Sequence, residues 1–81
     1  MKKENNYFSS NLKFLRQREG LDQVDLAKKL GRKSSASISE WEKGKYAPKA
    51  SVLTNIATIF NVSLSELLMV DLANAEISKL E

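Results

Sequence analysis

The stretch QVDLAKKLGRKSSASISEWEKG, residues 23–44, contains two short helical patterns. In each pattern apolar residues recur at three- or four-residue steps, and each ends at a glycine, Gly31 for the first and Gly44 for the second. The second pattern is unusual because serines, an alanine and lysines surround its tryptophan. We therefore expect two short helices joined by a tight turn, the second with small side chains on a positively charged surface.

Similar apolar spacing continues on both sides of this stretch, and the chain contains a single proline, Pro48, in a predicted loop. The sequence therefore predicts an all-α fold. The five helices are expected at about residues 8–19, 23–30, 35–43, 50–60 and 64–70. We expect residues 1–70 to form one domain and residues 71–81 to be a tail, a linker or a helix extension.

Three short motifs mark helix ends. Asp22 and Asp25 have the three-residue spacing of an acidic capping box before the second helix, and Ser63 and Glu66 have the same spacing before the fifth. Gly20 follows the first helix and is expected to be its left-handed C-cap. These motifs locate the starts of the second and fifth helices and the end of the first.

The composition excludes several kinds of site. The 81 residues contain no cysteine and no histidine, which removes disulfides, the usual zinc ligand sets and the commonest general base at neutral pH. The longest apolar run is residues 67–70, and the N-terminus is polar after its lysines, so neither a membrane span nor a signal peptide is predicted. We expect a non-enzymatic, cytoplasmic protein without metal or cofactor.

Charge is unevenly distributed along the chain, whose formal net charge is +3. Residues 28–49 contain seven lysines and arginines and two glutamates, whereas residues 50–81 contain one lysine and four acidic residues. Either this is an ordinary solvated surface, or the basic middle of the chain meets a polyanion.

Two short helices around a glycine-containing turn are typical of a helix-turn-helix, whose second helix enters the major groove of double-stranded DNA. Small side chains at the start of that helix let its backbone approach the bases. A serine hydroxyl can bond to a base edge, and an alanine methyl can contact a thymine methyl. Lysines beyond the helix neutralise phosphates. The central stretch therefore predicts sequence-specific DNA binding.

The order of landmarks along the chain also resembles a known family. NLKFLRQREGLDQVDLAKKLG, SISEWEKGKYAP and LTNIATIFNVSLSELL together resemble the XRE/Cro-type, lambda-repressor-like DNA-binding domain over residues 11–68. Within that family the chain resembles phage or bacterial repressors of the CI kind. The resemblance implies a compact five-helix fold and a repressor that occupies a palindromic operator as a homodimer. From Gly31 to Ile38 the chain is one residue longer than the family's common pattern, and we assign the extra residue to the turn.

The resemblance implies base contacts at the start of the third helix. The positions that match the family's base-reading residues, or adjoin them, are Ser34, Ser35, Ala36, Ser39 and Glu40. The serines either contact DNA or serve only as caps and solvated residues, and Ser34 or Ser35 is also expected to be the N-cap. Glu40 either accepts a hydrogen bond from cytosine N4 or remains in solvent, paired with Lys43 or Arg32.

Contacts with the DNA backbone are implied for a second set of residues. The positions that match the family's phosphate contacts, together with one lysine of the lengthened turn, are Gln23, Lys33, Lys43, Lys45, Tyr46 and Lys49. Tyr46 either donates its hydroxyl to a phosphate or packs over the loop. Lys33 is placed to reach either backbone or base.

Two structural roles complete the interpretation. The family pairs an arginine on the first helix with a glutamate at the end of the third, so we interpret Arg16 and Glu42 as an ion pair and not as base readers. Leu64, Leu68 and Leu72 either form a small symmetric contact between two copies, or the first two complete the core.

A second function stays open at this point. Residues 71–81 would then bind a protein partner, as in an antitoxin or a regulatory adaptor. A C-terminal domain that follows these residues in a longer repressor is a further alternative.

Overall fold

Five helices and a short helical segment, residues 72–75, follow one another along residues 6–75, the part of the chain that this computed structural model describes. The five helices are α1 (Phe8–Arg18), α2 (Gln23–Lys29), α3 (Ala36–Glu42), α4 (Ala50–Ile59) and α5 (Leu64–Met69). No strand occurs between residues 6 and 75, so the all-α prediction is confirmed. Each helix begins and ends within one residue of its predicted range.

The predicted tail begins directly after α5. Residues 72–75 are helical. Residues 76–81 lie outside the described residues. They form the remainder of the tail that would bind a protein partner in the second function left open by the sequence.

One hydrophobic core joins the five helices. Its largest fully buried apolar side chains are Trp41, Phe8, Leu12, Leu15, Leu26, Ile38, Ile56 and Leu67. The helix α3 contributes only Ile38 and Trp41 to the buried set. Because burial of apolar surface is the main force that holds a short helix in place, these two side chains anchor α3 and leave its opposite side available.

Both predicted capping boxes are confirmed. Asp22 accepts a hydrogen bond from the Asp25 backbone N at 2.8 Å, and Asp25 accepts one from the Asp22 backbone N at 3.0 Å. Ser63 and Glu66 make the same reciprocal pair, with both bonds at 2.9 Å. These bonds satisfy backbone donors that the first helical turn cannot satisfy itself. They therefore fix where α2 and α5 begin.

The turn between α2 and α3 depends on Gly31. Its φ of 74° lies in the left-handed region, which residues with a Cβ rarely adopt. This conformation lets the Gly31 backbone N donate to the Lys28 carbonyl at 3.0 Å and the Arg32 backbone N donate to the Ala27 carbonyl at 2.8 Å. The two bonds are those of a Schellman motif. They end α2 and turn the chain toward α3.

The buried side chain of Asn11 joins α1 to the end of α5. Its Nδ2 donates to the carbonyls of Leu67 at 2.8 Å and Val70 at 2.7 Å, and its Oδ1 accepts from the Leu72 backbone N at 3.0 Å. The last carbonyls of a helix have no partner within the helix. Asn11 therefore caps α5 and fixes the direction in which residues 72–75 continue, a role that the sequence did not reveal.

Removal of the Asn11 cap tests how much it contributes to the stability of the fold. We expect Asn11→Ala to lower the free energy of unfolding by about 2–4 kcal/mol, because two carbonyls and one N–H lose a buried partner. Urea unfolding followed by far-UV circular dichroism measures the change.

The matched control is Asn55→Ala. Asn55 is exposed on α4 and makes no side-chain hydrogen bond with the described residues, so its replacement is expected to change stability by less than about 0.5 kcal/mol. Equal effects of the two substitutions would contradict a capping role for Asn11.

Candidate nucleic-acid interface

The helix α3 has two contrasting faces. Its inner face packs against α1 and α2 through Ile38 and Trp41, which are 0% and 1% exposed. Residues three and four apart share a face of a helix, so Ala36, Glu40 and Lys43 form the opposite, outer face. Ala36 and Lys43 are exposed and Glu40 is partly exposed. The inner face anchors the helix, and the outer face is free to meet a ligand.

The predicted base-reading residues come together at the start and on the outside of α3. Ser34 and Ala36 are exposed, and Ser35, Ser39 and Glu40 are partly exposed. None of the five belongs to the hydrophobic core. The structure therefore leaves all five side chains accessible at least in part.

The expectation that α3 starts at Ser35 is off by one residue. Ser35 occupies the N-cap position, but its hydroxyl makes no capping hydrogen bond, and its φ of −90° and ψ of 4° are not the extended values of such a cap. Instead, Ser34 Oγ accepts a long hydrogen bond of 3.3 Å from the Ala36 backbone N. The helix begins at Ala36, and the Ser35 hydroxyl is not committed to capping.

Glu40 pairs with Lys45, and the prediction that its partner in solvent is Lys43 or Arg32 is wrong. Its carboxylate lies 3.9 Å from Lys45 Nζ, and the two side chains are 40% and 61% exposed. The Arg32 guanidinium is instead placed over the Trp41 ring, 4.9 Å from its centre, with Arg32 Nε buried and without a partner among the described residues. A long, exposed ion pair contributes little to stability, so Glu40 can leave Lys45 readily for another donor.

Exposed cations flank α3 along the chain. Lys33 in the turn, Lys43 at the end of α3, and Lys45 and Lys49 in the following loop are all exposed. Within residues 6–75, only Lys45 of these four has an acidic partner. Tyr46, in the same loop, is 51% exposed, so its packing against the loop is incomplete.

The predicted ion pair between Arg16 and Glu42 is present and bidentate. Arg16 Nε donates to Glu42 Oε2 at 2.7 Å and Nη2 donates to Oε1 at 3.0 Å, while Nη1 donates to the Leu21 carbonyl at 2.9 Å. The two side chains are only 10% and 6% exposed. The hydrogen bond to Glu42 raises the pKa of Arg16 above its usual value, against an opposing effect of burial. Arg16 therefore stays charged throughout the neutral range.

The side chain of Gln23, predicted to contact a phosphate, is bound to this pair. Gln23 Nε2 donates to Glu42 Oε1 at 3.1 Å. Gln23 is the first residue of α2 and Glu42 is the last residue of α3. One carboxylate thus connects three helices. The sequence placed Gln23 and Glu42 in separate roles and missed this bond.

The three leucines proposed for a dimer contact differ in exposure. Leu64 is 40% exposed, whereas Leu68 and Leu72 are partly buried against the core. On α5 and its C-cap, the side chains of Met69 and Val70 are 65% and 37% exposed. The exposed large apolar side chains here are therefore Leu64, Met69 and Val70, of which only Leu64 belongs to the predicted set.

Residues 6–75 contain neither a metal-binding cluster nor a membrane-spanning helix. No group of three or more acidic side chains in this region is placed to hold a metal ion. No helix in the same residues is long and apolar enough to span a bilayer.

Known proteins are similar to this chain both in sequence and in structure. The profile of a family described as helix-turn-helix, HTH_3, matches residues 12–67. An uncharacterised HTH-type transcriptional regulator of Methanocaldococcus jannaschii is 41% identical over 58 residues, which make up 72% of this chain and 86% of the relative.

Among solved structures, the repressor protein c2 of P22 in complex with a synthetic operator has a TM-score of 0.70 and 24% identity, and the match covers 75% of this chain and 91% of that one. A transcriptional regulator from Listeria innocua has a TM-score of 0.74 and 24% identity, with 90% and 73% covered. These likenesses confirm the predicted lambda-repressor-like fold.

The contribution of the buried ion pair between Arg16 and Glu42 to stability can be tested by removing one partner. We expect Glu42→Ala to lower the free energy of unfolding by about 3–5 kcal/mol, because it leaves the Arg16 charge buried without its partner. Urea unfolding at low temperature measures the loss.

Glu19→Ala is the matched control. Glu19 forms an exposed pair with Arg18 at 3.3 Å, and its removal is expected to change stability by less than about 1 kcal/mol. If Glu42→Ala were no more damaging than the control, the ion pair would not hold α1 and α3 together.

Proposed function

This chain belongs to the HTH_3 family of helix-turn-helix proteins, and we propose that it represses transcription by occupying a palindromic operator through the major groove. As a member of this family it is a DNA-binding transcriptional regulator. Repression, the palindrome and the individual contacts are the proposed parts.

The outer face of α3 carries the proposal. Ala36 is small and exposed at the start of the helix, and Ile38 and Trp41 hold the opposite face in the core. A helix enters the major groove only if its leading side chains let the backbone come close to the bases. Ser35, Ser39 and Glu40 then supply polar groups on or beside that face for base edges.

The distribution of charge also supports an approach to DNA through the outer face of α3. The exposed lysines at positions 33, 43, 45 and 49 flank α3 on both sides along the chain. Phosphate neutralisation supplies much of the affinity of DNA-binding proteins and makes that affinity dependent on salt. Tyr46, half exposed between Lys45 and Lys49, is placed to donate its hydroxyl to the same phosphate backbone.

Glu40 is the residue most able to discriminate between bases. A carboxylate accepts hydrogen bonds only, so in the groove it favours cytosine N4 and disfavours the acceptors of guanine. Its pairing with Lys45 is long and exposed. We expect Glu40 to exchange this pairing for a base contact in the complex.

Repression follows from occupancy of a promoter and requires no catalysis, and we accordingly propose a non-enzymatic role without metal or cofactor. Two copies would bind two half-sites about one helical turn apart. Leu64, Met69 and Val70 are exposed apolar side chains at the end of the domain that are available for contact between the copies. The cytoplasm of a bacterial or phage-infected cell is the proposed location.

A partner-binding function, as in an antitoxin or an adaptor, is the alternative. It relied on residues 71–81, most of which lie outside the described residues. No contact in residues 6–75 favours it over DNA binding.

Selection of bound sequences from a random pool of double-stranded DNA tests the proposal. We expect the whole chain, at moderate salt, to recover an inverted repeat, because two identical α3 helices related by a two-fold axis read symmetric half-sites. Binding that shows no enrichment and fades steeply with salt would leave only phosphate attraction and would contradict the base-reading role.

The same selection with Glu40→Ala locates the base that Glu40 reads. We expect the preference at one position of each half-site to weaken by about 1–3 kcal/mol, while the other positions keep theirs. Glu19→Ala removes an equal charge at the C-cap of α1, outside α3 and the segments that flank it, and should leave every position unchanged. An unchanged motif with Glu40→Ala would mean that Glu40 only pairs with lysine in solvent.

A further inference from the structure

We propose that Glu42 is a positioning residue for DNA binding: it fixes the side-chain amide of Gln23 so that the free N–H of this amide donates to a DNA phosphate. The inference rests on the proposed function. It extends the role of Glu42 beyond the structural ion pair that the sequence predicted.

The geometry of the carboxylate determines how the amide faces. Glu42 Oε1 accepts from Arg16 Nη2 at 3.0 Å and from Gln23 Nε2 at 3.1 Å, and Oε2 accepts from Arg16 Nε at 2.7 Å. A carboxylate can only accept, so the nitrogen of the Gln23 amide must face Glu42, and its carbonyl oxygen must face away. Glu42 therefore selects one of the two amide orientations.

Only one of the two N–H groups of the Gln23 amide donates a hydrogen bond within residues 6–75. A primary amide nitrogen carries two N–H groups, and the Gln23 side chain has a single hydrogen bond to the described residues, the one to Glu42. Gln23 is partly exposed at the first position of α2. The second N–H thus has no partner within residues 6–75, and the bond to Glu42 already fixes the side-chain rotamer, so a phosphate that binds this N–H does not have to order a flexible glutamine.

Arg16 removes the electrostatic objection to this arrangement. An isolated carboxylate beside a phosphate would repel it, but Arg16 meets Glu42 with two hydrogen bonds and matches its charge. The Arg16–Glu42 pair is neutral as a whole. It can hold a phosphate-binding amide in place without adding net negative charge.

A double-mutant cycle tests the inference on the whole chain. Gln23→Met removes both N–H groups and keeps the side-chain length. Arg16→Met combined with Glu42→Met removes the ion pair without leaving a lone buried charge. Affinity for a labelled duplex containing the selected operator is measured by fluorescence anisotropy, at a temperature at which circular dichroism shows each variant folded.

We expect Gln23→Met to weaken binding about tenfold, and removal of the ion pair to weaken it by a similar factor when Gln23 is present. In the Gln23→Met background, removal of the ion pair should change affinity by less than about twofold. Gln17→Met, on the exposed side of α1, is the matched control and should bind like wild type.

A second variant keeps the test informative if loss of the ion pair unfolds the chain. Glu42→Gln retains an acceptor for Gln23, so it should lower stability yet bind within about threefold of wild type in its folded state, whereas Gln23→Met, which keeps the ion pair, should lose about tenfold. Equal losses in these two variants would overturn the inference.

Two further outcomes distinguish failure of the positioning role from failure of the proposed function. If removal of the ion pair weakens binding by the same factor with and without Gln23, Glu42 acts through the fold alone, and the positioning role is overturned. If the wild-type chain binds no duplex, the proposed function itself fails, and the inference fails with it.

Discussion

The carboxylate of Glu42 is the point at which the helix-turn-helix is held together. It receives two hydrogen bonds from Arg16 on α1 and one from Gln23 on α2, although it belongs to the last residue of α3. The helices α2 and α3 have seven residues each, and helices of this length are not stable alone in water. Their relative placement therefore depends on the core beneath them and on this buried polar contact.

The same arrangement explains why α3 can carry small and charged residues on its outer face. Ile38 and Trp41 supply its apolar anchor and Glu42 its polar one, so nothing on the outer face is needed to hold the helix. Ala36, Ser39 and Glu40 are then free to suit a ligand. The lysines of the turn and the following loop add positive charge before and after α3 along the chain, and their exposure means that a polyanion can reach them without rearrangement of the core.

Much of this architecture could be predicted from the sequence, because the relevant residues are close along the chain. The capping boxes at Asp22 and Ser63 need only a three-residue spacing. The bond between Asn11 and the end of α5 spans 56 residues, and the bond between Gln23 and Glu42 depends on how α2 crosses α3. Neither bond produces a short-range pattern in the sequence from which it could be predicted. The Arg16–Glu42 pair was foreseen only through the family resemblance, and the partner of Glu40 was missed because the path of the loop to Lys45 was unknown.

A structure of the whole chain bound to its selected operator would test the central claim most directly. It should show the outer face of α3 in the major groove, with Gln23 Nε2 bonded to Glu42 and to a phosphate oxygen at once, each at about 2.7–3.2 Å. If α3 faced away from the bases, or if Gln23 left Glu42 in order to reach the phosphate, the claim that this buried contact organises the DNA-binding surface would be contradicted.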